Sequence, residues 1–232
     1  MKRTNLAALE EYSERDLLRH GHGFREVEFN APDDLLIVDL IELYMEIKYA
    51  LPEERGLVVQ FVSASNSLDS EQIALDMAWA CASVLGRKIL ILNCTRSRRR
   101  AITAADSPVQ PMTTEDGMVK VTGQEMYLAD LRGWHTKTGA LAATDEIDGH
   151  LDELRTFFDM IVMVAPAADS DPLGAVLAQH VDGNLIVLEA ERTRRSAAIR
   201  LRRMLSRSGR PIVGAVLNNR RNYIPRWLAR FL

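Results

Sequence analysis

The chain carries two kinds of hydrophobic pattern in alternation. Short, nearly continuous apolar runs at 57–62, 88–92, 160–164, 184–188 and 212–217 have the length of strands covered on both faces. Between them lie stretches with helical spacing over 71–85, 147–157, 172–180 and 194–208, with Gly86 and Gly209 placed as stops. A more apolar helix is predicted over 35–51, ahead of the first strand, and an amphipathic one over 224–232. Apolar strands separated by helices predict an α/β fold: a doubly wound, mainly parallel sheet with helices on both faces.

Two segments break this rhythm. Residues 4–19 have the polarity of an exposed helix and 20–34 read as a connector, so 1–34 is expected to precede one domain over 35–232. The stretch at about 96–146 is polar, rich in Thr and Ala and poorly periodic. It is too long for an ordinary connection and reads as an irregular insert with some short elements.

Composition adds little to the fold but more to the function. The hydrophobic share of 47% suffices for a sizeable core. No apolar run reaches the roughly 18 residues needed to span a bilayer and no signal-peptide pattern opens the chain, so a cytoplasmic protein is expected. Cys81 and Cys94 sit in apolar segments and read as small buried thiols. The net charge of −3 hides an asymmetry. From Arg192 onward there are many arginines and no Asp or Glu, whereas Glu10, Glu11, Glu14, Asp33, Asp34, Glu53 and Glu54 crowd the first quarter. The basic end predicts either an internal match or an anionic partner.

In a doubly wound sheet, ligands bind at the carboxyl ends of the strands, usually after the first. Here that place is the turn from 63 to 72. Phosphate binding there needs glycines for inward-facing N–H groups, a Lys for the β- and γ-phosphates, and a Ser or Thr hydroxyl for Mg²⁺. The segment FVSASNSLDSEQIALDMAWA resembles the opening of the bacterial tyrosine kinase family, the CpsD/CapB-type proteins of capsule and exopolysaccharide assembly, in the ParA/MinD branch of P-loop ATPases. The family pattern S-P-x-P-G-E-G-K-S-T aligns without a gap. Ser67 and Asp69 stand at its glycines, Ser70 at the lysine, Glu71 at the Mg²⁺-binding serine and Gln72 at the threonine. In ILILNCT, Asn93 and Thr95 occupy the acidic positions of the family's I-D-A-D. In FFDMIVMVAPAADSDP, Val164 takes the place of an aspartate that is an outer-sphere Mg²⁺ ligand.

HVDGNLIVLEAERT and PIVGAVLNN resemble the family's V-D-G and G-x-V-L-N segments, and YIPRWL a tail of exopolysaccharide-operon members. The family's oligomer helix motif E-x-x-R-x-x-R has Glu42, Met45 and Lys48 here, and a lysine does not reproduce a bidentate guanidinium clamp. The resemblance implies a pseudokinase-like adaptor with no bound cofactor or metal. Its implied partner is the cytoplasmic part of an inner-membrane polysaccharide copolymerase, with a homo-oligomer and a peripheral membrane contact as further associations. Arg195, Arg202, Arg226, Trp227 and Arg230 are the candidate partner or membrane surface. Two alternatives stand beside this reading: an atypical ATP-binding autokinase of the same pathway, and a ParA-like nucleic-acid or membrane-positioning module. Nucleic acid is not the expected partner. His20 and His22 read as connector residues, and His135, His150 and His180 as scattered.

Overall fold

The computed structural model describes residues 25–27, 32, 34–51, 56–65, 67–95, 118–130 and 144–218. The helices expected over 4–19 and 224–232, with Arg226, Trp227 and Arg230, lie outside the described residues, as do His20, His22, His135 and the arginines at 96–100.

In chain order the elements are β1 (Arg25–Val27), α1 (Asp34–Ala50), β2 (Leu57–Ser63), α2 (Ser67–Leu85), β3 (Ile89–Asn93), β4 (Val119–Val121), β5 (Met126–Asp130), α3 (Thr144–Leu154), β6 (Met160–Val164), α4 (Leu173–Leu177), β7 (Gly183–Glu189), α5 (Arg195–Leu205) with a 3-10 turn (Ser206–Ser208), and β8 (Ile212–Asn218). The strands form one sheet in the order β1-β4-β5-β3-β6-β2-β7-β8. All neighbours are parallel except β4 and β5.

The winding follows from the packing. Every residue of β2 and β6 is buried, which requires helices on both faces of the sheet. Tyr44 and Ile47 of α1, with Ile73, Met77 and Cys81 of α2, bury one face against Val59, Phe61, Ile91 and Val162. Ile147 and Leu151 of α3 and Leu173 and Leu177 of α4 bury the other against Val58, Leu90 and Ile161. Leu201 and Leu205 of α5 extend that second layer over Val62 and Ile186. The β2-to-β3 crossover thus runs over one face and the β6-to-β7 crossover over the other. This is the expected doubly wound α/β sheet.

Both cysteines are buried without a disulfide, and burial pushes the Cys81 thiol up to about 12, as expected of an inert core thiol. Gly86 follows α2 at φ 61°, a left-handed conformation suited to a helix stop.

Several boundaries differ from the sequence expectation: α3 spans Thr144–Leu154, not 147–157, and α4 only Leu173–Leu177 of the expected 172–180. Helix α2 begins at Ser67, not at 71, so much of the expected turn is helical. Residues 25–27, read as connector, form a strand that pairs with β4. Within the insert, β4 and β5 extend the sheet beside β3. The three-residue strands β1 and β4 carry too few residues to show a period.

The amino ends of the central strands are tied by one knot. Arg155, just past α3, donates from Nη1 and Nη2 to the two carboxylate oxygens of Asp182, and from Nη1 to the Gly56 carbonyl at 2.8 Å. Asp182 Oδ2 also accepts from Val58 N at 2.8 Å. Gly56 has no room for a side chain, because a Cβ there would lie 2.0 Å from the Phe158 carbonyl oxygen.

Candidate functional site

The carboxyl ends of β3, β6 and β2 lie side by side, with Asn93 in register with Val164 and Val164 with Phe61. The fold therefore brings together all three stretches aligned with nucleotide motifs. What it builds from them is mainly self-satisfied.

Val164 is fully buried in the apolar layer shared with Phe61 and Ala74, so this position contributes packing and no ligand atom. Asn93 Oδ1 accepts from both the backbone N and the hydroxyl of Thr95, each at 2.8 Å, closing an Asx-type turn after β3. Thr95 is buried by that turn, and Cys94 N donates to the Val164 carbonyl at 2.9 Å. The two residues at acidic positions thus hold the strand end.

The backbone of Ser67 and Asp69 lies in the first turn of α2; their side chains are outside the description. Ser70 is fully buried. Glu71 is largely enclosed, and burial pushes its carboxyl up from 4.5 to about 7. Gln72 points outward and donates from Nε2 to Asp76 Oδ1 at 2.8 Å. Burial also raises the Asp76 carboxyl, partly offset by that bond. A helix that starts at Ser67 directs its later N–H groups to carbonyls four residues back, so only the first turn keeps N–H groups free to face an anion.

The other sequence candidates are scattered over the surface. Arg195 and Arg202 are exposed on α5. Glu42 is exposed on α1, and Met45 is 38% exposed beside it. Lys48 is half-buried with Nζ 5.8 Å from the Tyr44 ring centroid, a cation–π contact. His150 is exposed. Among the described residues, no group of three His, Cys, Asp or Glu side chains could hold a metal.

Sequence reading missed two buried polar clusters. Gln60 and Asn184 are paired neighbours on β2 and β7, both fully buried. Gln60 Nε2 donates to the Gly174 carbonyl at 2.8 Å, and Asn184 Nδ2 reaches the Ala178 carbonyl at 3.5 Å, so both amides brace the α4 segment. Buried His180 has Nδ1 2.8 Å from Asp148 Oδ1 and Nε2 3.2 Å from Gln179 Nε2. A lone polar residue in an apolar run gives no sign of its partner, so neither cluster was legible in one dimension.

A central β2 between β6 and β7, followed by α2 and flanked by oppositely directed crossovers, is the arrangement of the P-loop NTPase fold. No protein-family model matches the chain, and no curated protein matches it. Solved structures do match, among them bacterial tyrosine kinase domains and MinD cell division ATPases, groups that the sequence resembles. The kinase domain of the Escherichia coli tyrosine kinase ETK overlays with a TM-score of 0.60 at 13% identity, covering 96% of this chain and 88% of that one. The VpsO kinase domain gives 0.55 at 19% identity, covering 82% and 98%. The cell division ATPase MinD of Pyrococcus furiosus gives 0.52 at 19% identity, covering 76% and 78%. At such identities the likeness establishes a shared fold.

Proposed function

We propose that the chain is a non-catalytic adaptor of bacterial exopolysaccharide or capsule export, which binds the cytoplasmic part of a membrane polysaccharide copolymerase and touches the inner membrane peripherally. The observation that carries the non-catalytic part is the start of α2. The stretch that would wrap phosphates is helical from Ser67, no lysine stands at position 70, and Glu71 brings a carboxylate to the position of a Mg²⁺-binding hydroxyl. Once ionised, that carboxylate opposes a triphosphate in a poorly solvated place, where like charges cost several-fold more than in water. Asn93 and Val164 add no acid to activate a nucleophile or hold a metal shell. The pathway and partner come from the resemblance of the V-D-G, V-L-N and Y-I-P-x-W-L segments; the shared fold supports them without specifying a partner.

Isothermal calorimetry with Mg-ATP is expected to give no binding heat. Micromolar affinity that disappears when residues 67–72 are altered would overturn the adaptor reading. Co-purification with a polysaccharide copolymerase of the same organism, undiminished by removing ATP, is the expected positive result.

A further inference from the structure

Helix α5 has a sharply divided surface. Leu201 and Leu205 are buried against the sheet, with Ala197 and Met204 packed beside them. The rest of its surface carries Arg203 on the outward side, Arg195 and Arg202 on one flank, Arg200 on the other and, past the helix end, Arg207, all exposed. No Asp or Glu occurs from 192 to 210. Arg192 pairs with Glu189 at 2.9 Å, but those five arginines form no ion pair among the described residues. Long cationic side chains with no counter-charge among the described residues make a surface that attracts anions.

One residue on this ridge is not polar. Ile199 is 40% exposed and, by helical spacing, stands near the middle of the outward side. Arg195 lies one turn before it and Arg202 and Arg203 one turn after. A cationic helix face with an exposed aliphatic side chain among its arginines fits an anionic lipid surface, whose phosphates meet the guanidiniums while the aliphatic group enters the headgroup layer.

We propose that the outward face of α5 docks on anionic phospholipid at the membrane surface, with Arg195, Arg200, Arg202, Arg203 and Arg207 on the phosphates and Ile199 dipping between headgroups. This sharpens the peripheral membrane contact of the preceding section by naming the helix and the lipid class. It does not depend on the absence of ATP binding or on the copolymerase, so its failure leaves those tests untouched.

The full chain is sedimented with vesicles of phosphatidylcholine alone and of phosphatidylcholine mixed with phosphatidylglycerol. Binding is expected only to the anionic vesicles and is expected to fall steeply as salt is raised. Each arginine neutralised is expected to weaken partitioning about fivefold, so Arg202→Gln with Arg203→Gln should lower it about 25-fold. Ile199→Ser should lower vesicle binding severalfold and leave any association with duplex DNA unchanged. All three positions are exposed, and matching thermal unfolding of the variants checks that the fold is intact. No binding to anionic vesicles, or binding unaffected by the double variant, overturns the proposal. So does a double variant that loses DNA binding in a chain that never bound lipid, which would assign the ridge to nucleic acid.

Discussion

Replacing Asp182 with alanine is expected to destabilise the fold by about 3 kcal/mol, the largest loss expected from a single polar side chain here. Among the described residues, Asp182 is the only carboxylate that meets Arg155 in bidentate geometry; Asp152 lies farther off, 3.6 Å from its Nε. The Asp182 and Arg155 side chains are 26% and 13% exposed, so water partly screens the pair and the full cost of a buried broken ion pair does not apply. Two further losses add to it. Val58 N, on a buried strand, loses its acceptor, and the guanidinium loses the anchor that holds it on the Gly56 carbonyl. Asp182→Asn keeps an acceptor for Val58 N and is expected to cost about half as much. Urea unfolding checks this through a lower midpoint at unchanged slope. A double-mutant cycle with Arg155→Met that gives a coupling under about 0.5 kcal/mol would mean the knot is a bystander.

The second large effect concerns Glu71. Burial holds its carboxyl near 7 in the folded protein against an ordinary value of 4.5. The folded state therefore keeps this proton more tightly than the unfolded chain. Its contribution is fully present below pH 4.5, is lost as pH rises toward 7, and stays lost above. That interval corresponds to a penalty on the order of 3 kcal/mol at alkaline pH. Glu71→Gln, nearly isosteric and uncharged, is expected to raise stability at pH 8 by about 2 kcal/mol and to change it little at pH 4. A shallower slope of the same sign should remain from Asp76, whose carboxyl is also raised. Thermal unfolding across this range checks both statements. If the wild-type and Glu71→Gln curves run parallel with pH, Glu71 is solvated and the electrostatic objection to a triphosphate at α2 weakens with it.

The two sites show opposite treatments of charge in one sheet. At the amino ends of the strands, charge is paired and fixed in place. At the carboxyl ends, where this fold class places ligands, Asn93 and Thr95 bond each other, Val164 is core, and Glu71 is a carboxylate held partly out of water.

The sequence by itself determined the fold class. Continuous apolar runs can only be strands covered twice, and helical spacing between them, with Gly86 as a stop, leaves a doubly wound sheet as the consistent solution. It also displayed which residue types stand at the nucleotide motifs, because those positions follow directly from the alignment of one loop and two strand ends. Only the tertiary structure decided how these residues are used. Helix α2 reaches back to Ser67 because a stretch without Gly or Pro can continue a helix once its apolar face is packed, and that packing is long-range. The strands β1, β4 and β5, which extend the sheet beyond β3, exist through pairing across the sheet, which such segments do not encode in their own pattern. The raised carboxyl of Glu71, the Arg155–Asp182 knot and the arginine ridge of α5 likewise depend on what the fold brings near or keeps away, since burial and counter-charge belong to the assembled structure and not to any local stretch of chain.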